Sequence, residues 1–466
     1  MPPTPLDSTP ALCRLTAAQL AASYADGSLS PVDAIRAALA RAEDINPALN
    51  AFTFIDHQGA LEAAQASESR WRVKTPLSAL DGVPATIKDI VAVQNWTTSY
   101  GSLTQNAPPA TADAPAVQNW RRAGLVFIGQ TTMPEFGWKA VTDSARYGIT
   151  RNPWNPALSS GGSSGGAAVA AAAGAGVLHL GTDGGGSIRI PAAWCGIAGI
   201  KPTFGLVPAF PPSAFGTLAH IGPMARTVAD VQAGLAAMVV RDTRDWHQFT
   251  DPQLPPPSPL ALAGLRLGVW QTPPGLAPTP AIATAFAAAL ATLQNSGVIL
   301  EPIALPSADL MKMFETLWFA GAATRLRAID PSHRPLIEPG LLAIAAHGEA
   351  IPVTDYIAAH TARAAFGAGM DAMLDNFDAL ISPACAIPPL PAGESLPADA
   401  GLTFWHEWAG FSFPINLSQQ PACVIQAGHP DPDLPGLPPT AIQLIGARRG
   451  DARLLDIAAA CTTALA

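Results

Sequence analysis

Two glycine–serine loops carry the residues most able to do chemistry. They lie in one stretch, Gly161 to Gly205, that begins GGSSGG and continues GTDGGGSIRIPAAWCGIAGIKPT. In the second loop Gly184, Gly185 and Gly186 precede Ser187, which sets a row of unobstructed backbone N–H donors beside a hydroxyl. Acyl transfer needs that pairing, a nucleophile with an oxyanion hole in the adjoining backbone. A serine hydroxyl is a weak nucleophile until something takes its proton. His179 is the near histidine, but its place in the apolar run VLHL reads as buried or structural, so the base must come from elsewhere. Lys88, at the end of the strand-like run DGVPATIK, is a candidate. Among Val83, Ile87 and Ile90 it would be desolvated, which disfavours an ammonium. Standing alone, it would read better as a surface lysine beside Asp89.

Neighbouring residues have plainer readings. Asp183 suits a charge partner for Arg189 or a loop cap, and Arg189 suits an orienting role rather than contact with substrate. Cys195, among apolar neighbours, reads as a buried structural thiol. GGSSG also fits the G-x-S-x-G nucleophile elbow, with Ser163 as nucleophile. That would require a strand before it, where RNPWNPALSS is broken by prolines, and a recognisable downstream acid and histidine. Phosphate-binding readings fail on the absent Lys-Ser/Thr ending and the absent third glycine.

The elements that must position these groups alternate. Leu15 to Glu43 reads as two short amphipathic helices, the second with Ser30 as cap and Pro31 at its first position. Strand-like runs follow at 83–93 and 126–129, then a helix-compatible stretch at 169–175 and the strand VLHLGTD. A proline-rich connector, DPQLPPPSP, precedes the strand LRLGVW and an Ala-rich helix. Residues 308–374 read as mainly helical, and FDALISPA as a strand entering a loop. The alternation predicts an α/β layered architecture in a single domain, with the connector as a surface crossing.

Composition narrows the function. Of 466 residues, 49% are hydrophobic and 13% charged, which predicts a large core; the net charge of −9 with no basic run argues against a nucleic-acid partner. Five scattered cysteines form neither a disulfide framework nor a zinc site and suit a reducing compartment. The N-terminus lacks a leader pattern and no stretch reads as a membrane span, so the expected location is cytoplasmic.

The two loops and DGVPATIKDI together resemble the amidase signature family. Further matches run along nearly the whole chain, among them YGITRNPWNP, IGPMARTVAD, INLSQQPACVI and TAIQLIGARRGDARLL. The resemblance implies one domain built on a large, mixed, twisted β-sheet covered by helices on both faces, with the core signature at 81–230 and a C-terminal family segment at 375–466. It implies no metal and no organic cofactor. It also implies a triad: Ser187 as nucleophile, Lys88 as base, and Ser163, entered through a cis peptide bond, as proton relay. The residues alone do not choose between Ser163 and Ser164; the resemblance does, and gives Ser164 a supporting place in the hydrogen-bond network.

For substrate, the resemblance points to small amides, anilides or carbamates, with esters open to the same chemistry, and to a monomer or homodimer. A glutamine-hydrolysing component of a tRNA-dependent amidotransferase is the alternative. Departures from the family pattern, such as His220 where an acid is usual and Asn95 in place of a glycine, favour the stand-alone hydrolase. Aromatic groups at Trp318, Phe319, Phe404, Trp405 and Trp408, with Gly137, Trp138 and the loop AFPPSAFG at 209–216 that contains Phe210, are pocket candidates, core packing being equally open for the aromatics.

Overall fold

The computed structural model describes residues 6, 8–428 and 436–466, so part of the N-terminal stretch read for a leader lies outside the described residues. Its strands are, in chain order, β1 (Phe52–Ile55), β2 (Pro84–Lys88), β3 (Val126–Thr131), β4 (Asp143–Ser144), β5 (Gly148–Ile149), β6 (Leu178–Asp183) and β7 (Ala198–Lys201). They continue with β8 (His220–Ala225), β9 (Arg266–Trp270), β10 (Ile299–Ile303), β11 (Ala379–Pro383), β12 (Ala422–Gln426) and β13 (Ala441–Ile445). All but the small β4–β5 ribbon join one sheet, ordered β1-β3-β2-β6-β8-β7-β12-β13-β11-β9-β10. β2 runs parallel to β3 and β6, and β9 parallel to β10 and β11; from β6 across to β11 every pairing is antiparallel. The expected mixed sheet is therefore present.

Strand alternation divides the apolar residues between two cores, one on each face. On β12, Ala422 and Val424 join one core, and Cys423 and Ile425 the other. Helices Pro31–Leu49, Gly165–Ala173, Leu310–Arg327 and Val353–Leu374 close the first face. Helices Ala17–Asp26, Pro115–Arg122, Val228–Met238, Pro280–Asn295 and Asp451–Leu465 close the second. Among the described residues no helix is long and apolar enough to cross a membrane.

Local signals set the helix starts. Thr16 and Gln19 cap the first helix reciprocally, and the Ser30 hydroxyl accepts Val32 N–H at 3.0 Å. The second helix outruns its expected end at Glu43, carrying Pro47 in its last turn before Asn50 stops it at φ 51°. Residues 308–374 hold three α-helices, Leu310–Arg327, Pro339–Glu349 and Val353–Leu374, with a short 3-10 turn at Pro331–Leu336, inserted between β10 and β11. The connector has no regular structure; Ser258 N–H donates to Asp456 on the terminal helix, and the chain then enters β9 of the same sheet.

Candidate active site

The site lies where the parallel strands β2 and β6 end, the place where open α/β sheets gather ligands. Ile87 is level with Leu180, which brings Lys88 alongside the last residues of β6. Ala85 and Ile87 face one core, so alternation turns Thr86 and Lys88 toward the helix Gly165–Ala173. Lys88 is wholly buried. Its Nζ lies 2.7 Å from Ser163 Oγ, 2.9 Å from Ser164 Oγ and 2.9 Å from Thr182 Oγ1. Among the described residues no carboxylate forms an ion pair with it. Burial pushes its pKa well below the ordinary 10.5, and the charge of Asp183, acting the other way, does not offset this. Asp89 turns elsewhere, accepting the Ser99 hydroxyl and the N–H groups of Ser99 and Gly101, so the surface-pair reading of Lys88 does not hold.

The peptide bond from Gly162 to Ser163 is cis. Ser164 ties the two loops to the sheet: its N–H donates to Ser187 O at 3.1 Å, and its hydroxyl lies between Thr182 O and Thr182 N–H. The helix begins at Gly165, where a Cβ would stand 2.3 Å from Thr142 Oγ1; only glycine permits that approach.

β6 ends in Asp183, which is both ion-pair partner and cap. Its carboxylate accepts N–H groups of Gly186 at 2.8 Å and Ile188 at 3.1 Å, the Arg189 guanidinium, and Asn416 Nδ2 at 2.9 Å. Burial alone would raise its pKa; Arg189, Asn416 and the charge of Lys201 together outweigh burial and hold the carboxyl well below the usual range. Arg189 fills all five donors, on Asp183, Ser412 O, Gln443 Oε1 and Asn416 Oδ1, and does not reach the cavity. The expected donor row needs one correction. Gly186 N–H is committed to Asp183, because a buried carboxylate must collect donors; the N–H groups of Gly184, Gly185 and Ser187 have no acceptor among the described residues.

Ser163 and Ser187 open into a cavity of about 250 Å³. Of the pocket candidates, Gly137, Phe210 and Trp318 line it. Trp138, Phe319, Phe404 and Trp405 do not: the last three pack behind the lining in an aromatic layer, and Trp138 lies apart against Glu338. Trp405 meets Trp318 edge-on at 5.6 Å, Phe319 packs on Phe404 at 5.2 Å, and Trp138 Nε1 donates to Glu338 at 2.8 Å. Trp408 stacks on Trp194 in the core. The layer backs the glycine loop: a Cβ on Gly184 would lie 3.0 Å from Trp318, and one on Gly185 would lie 2.8 Å from Trp405.

Sequence reading missed four residues here. Thr182 sits inside the signature stretch, and its hydroxyl at a strand end was the available signal. Tyr100, Phe136 and Arg325 also line the cavity, and nothing in their sequence context marked them. His220 lies in the wall, its Nδ1 facing Leu218 O at 2.8 Å and Asp183 O at 3.2 Å; two carbonyl acceptors place the proton on Nδ1. Cys195 is buried, and burial pushes its thiol far up, away from reactivity. Among the described residues no cluster of His, Cys, Asp and Glu could hold a metal ion.

Known proteins resemble this chain along nearly its whole length. A family model described as Amidase matches residues 33–455. An acylamidase of Rhodococcus erythropolis is 32% identical over 460 residues, covering 96% of this chain and 94% of that protein. A glutamyl-tRNA(Gln) amidotransferase subunit of Chloroflexus aggregans is 33% identical over 479 residues, covering 95% of each. The crystal structure of a bacterial aryl acylamidase of the amidase signature enzymes superposes with a TM-score of 0.86 at 27% identity, covering 97% of this chain and 96% of that one.

Proposed function

The chain belongs to the amidase signature family, whose members hydrolyse carbon–nitrogen bonds, and on that premise we propose that it cleaves small amides, anilides or carbamates through Ser187, Ser163 and Lys88. One observation carries the reading: a buried lysine with no ion-pair partner among the described residues, its Nζ 2.7 Å from Ser163 Oγ. Neutral Lys88 takes the proton of Ser163 as Ser163 takes that of Ser187. The Ser187 oxygen attacks the carbonyl carbon, and the N–H groups of Gly184, Gly185 and Ser187 hold the oxyanion. The relay returns the proton to the leaving nitrogen, the C–N bond breaks, and water repeats the cycle on the acyl-enzyme. Asp183 and Arg189 set the loop, and Ser164 and Thr182 hold the lysine in place.

The test is initial rates on an anilide and a carbamate that release the same chromogenic arylamine. Wild type should cleave at least one, and Ser187→Ala should lower kcat by about 10³-fold or more. A rate retained in Ser187→Ala but lost in Ser163→Ala would transfer the nucleophile to Ser163 and sink the relay. The similarity to the amidotransferase proteins favours one second reading, glutamine hydrolysis for a partner. Ammonia release from glutamine at a rate above that from either arylamide would select it.

A further inference from the structure

Arg325 stands on the helix Leu310–Arg327 and is the one arginine or lysine among the described residues lining the cavity. Its guanidinium carbon lies 4.3 Å from the ring centre of Phe136 and 4.5 Å from that of Tyr100. Two rings so placed hold a guanidinium without using its hydrogen-bond donors. Those donors meet no acceptor: no hydrogen bond or ion pair to Arg325 exists among the described residues, and its Nε is buried without a partner. Arg325 is half-buried, and two of the buried arginines differ from it. Arg189 fills every donor, and Arg363 donates to Leu417 O, Asn416 O and Thr217.

The acids nearby are committed elsewhere. Glu135, beside Phe136 in the chain, accepts Ser102 Oγ at 2.6 Å and Glu338 N–H at 2.8 Å, while Glu338 takes Lys139 Nζ at 2.9 Å. The two carboxylates in the lining are also taken, Asp183 by Arg189 and Asp245 by the N–H groups of Ala209 and His247. The cation stands close to the reacting groups. Gly137 follows Phe136, and a Cβ there would lie 3.3 Å from Ser163 Oγ.

We propose that Arg325 binds a carboxylate of the substrate, so that the amides this site prefers carry a negative charge a short distance from the scissile bond. A planar fork with unfilled donors, in a cavity walled by aromatic rings, recognises a carboxylate in two-point fashion. The charge sits on either the acyl or the amine portion. This rests on the amidase reading for the position of the scissile bond, but the binding itself can be measured apart from turnover.

The experiment measures equilibrium binding to the Ser187→Ala protein. The probes are two matched pairs: N-phenylsuccinamate against butyranilide, and 4-acetamidobenzoate against acetanilide. At least one carboxylate should bind about tenfold or more tightly than its neutral partner, and the pair that responds identifies the side bearing the charge. Adding Arg325→Met should abolish that advantage while moving the neutral compound less than about threefold, and Arg325→Lys should keep part of it. Equal binding within both pairs, or an advantage that survives Arg325→Met, overturns the inference. Wild-type turnover of the same anilides is scored separately. Turnover without carboxylate preference removes Arg325 alone, whereas carboxylate preference without turnover supports the subsite and removes the hydrolase reading.

Discussion

Lys88 reaches its state by subtraction, because three hydroxyls surround its amine where an ion pair would keep it charged. Burial pushes the pKa down, so the base form exists above that lowered value and is lost as pH falls through it. kcat/KM should therefore rise along a single acid limb centred well below 10.5 and stay flat into alkaline pH. A limb centred near 10.5 would mean that burial does not lower Lys88, and the same limb persisting in Lys88→Met would remove Lys88 as the base. Lys88→Arg should be as inactive as Lys88→Met, losing about 10³-fold in kcat, because a guanidinium does not give up its proton. Near-normal activity in Lys88→Arg would point to another base. Ser187 was legible because a glycine-rich loop sets free donors beside its hydroxyl, whereas Lys88, which alone reads as a surface lysine, and the choice of Ser163 over Ser164 came only through the family resemblance. Arg325 was not legible: in the last turn of a helix, arginines two apart look like solvated charge, and only the folded neighbours Tyr100 and Phe136 distinguish one from the other.

The loop after β6 owes its shape to a buried ion pair rather than to its glycines alone. Asp183 and Arg189 are both wholly buried, and removing one leaves the other without a counter-charge. Arg189→Met should lower unfolding free energy by about 3–5 kcal/mol, read from urea melts, and free Gly186 N–H to wander. A loss below about 1 kcal/mol would mean that Asn416 and the backbone donors suffice for Asp183. The sequence marked Asp183 and Arg189 as loop residues, but the partners that complete them, Asn416 and Gln443, lie more than 220 positions away, beyond any local pattern. The aromatic layers were half legible for a similar reason. Trp318 with Phe319, and Phe404 with Trp405, were legible as two separate aromatic groups, yet which ring faces the cavity depends on how the helix rolls over the glycine loop.

At the scale of the whole chain, alternation of apolar strands and helices made the layered architecture legible, while the strand order was not. Eleven strands admit many orders, and the interleaving that seats β12 and β13 between β7 and β11 is decided by packing rather than by adjacency. The buried interior also fixes a response to acid. His179 on β6 is wholly buried, and burial, with Arg226 adding to it, lowers its pKa from 6.5 to about 3. A histidine depressed in the fold takes up its proton first in the unfolded chain, so stability is full above 6.5 and declines as pH falls from there toward 3. Between pH 6.5 and pH 5 this one group should cost about 2 kcal/mol, and His179→Gln should shrink the pH dependence by that amount. An unchanged dependence would place the acid sensitivity elsewhere.

The completion of Arg189 by Asn416 and Gln443 also orders events in time. On a ribosome the three reactive groups emerge long before the two acceptors that settle the guanidinium behind Ser187. A nascent chain halted at residue 400 thus contains every group the chemistry needs and lacks what holds the loop in shape. The helix Phe413–Ser418, which carries Asn416, and β13, which carries Gln443, are thus late clasps on a loop laid down more than 220 residues earlier.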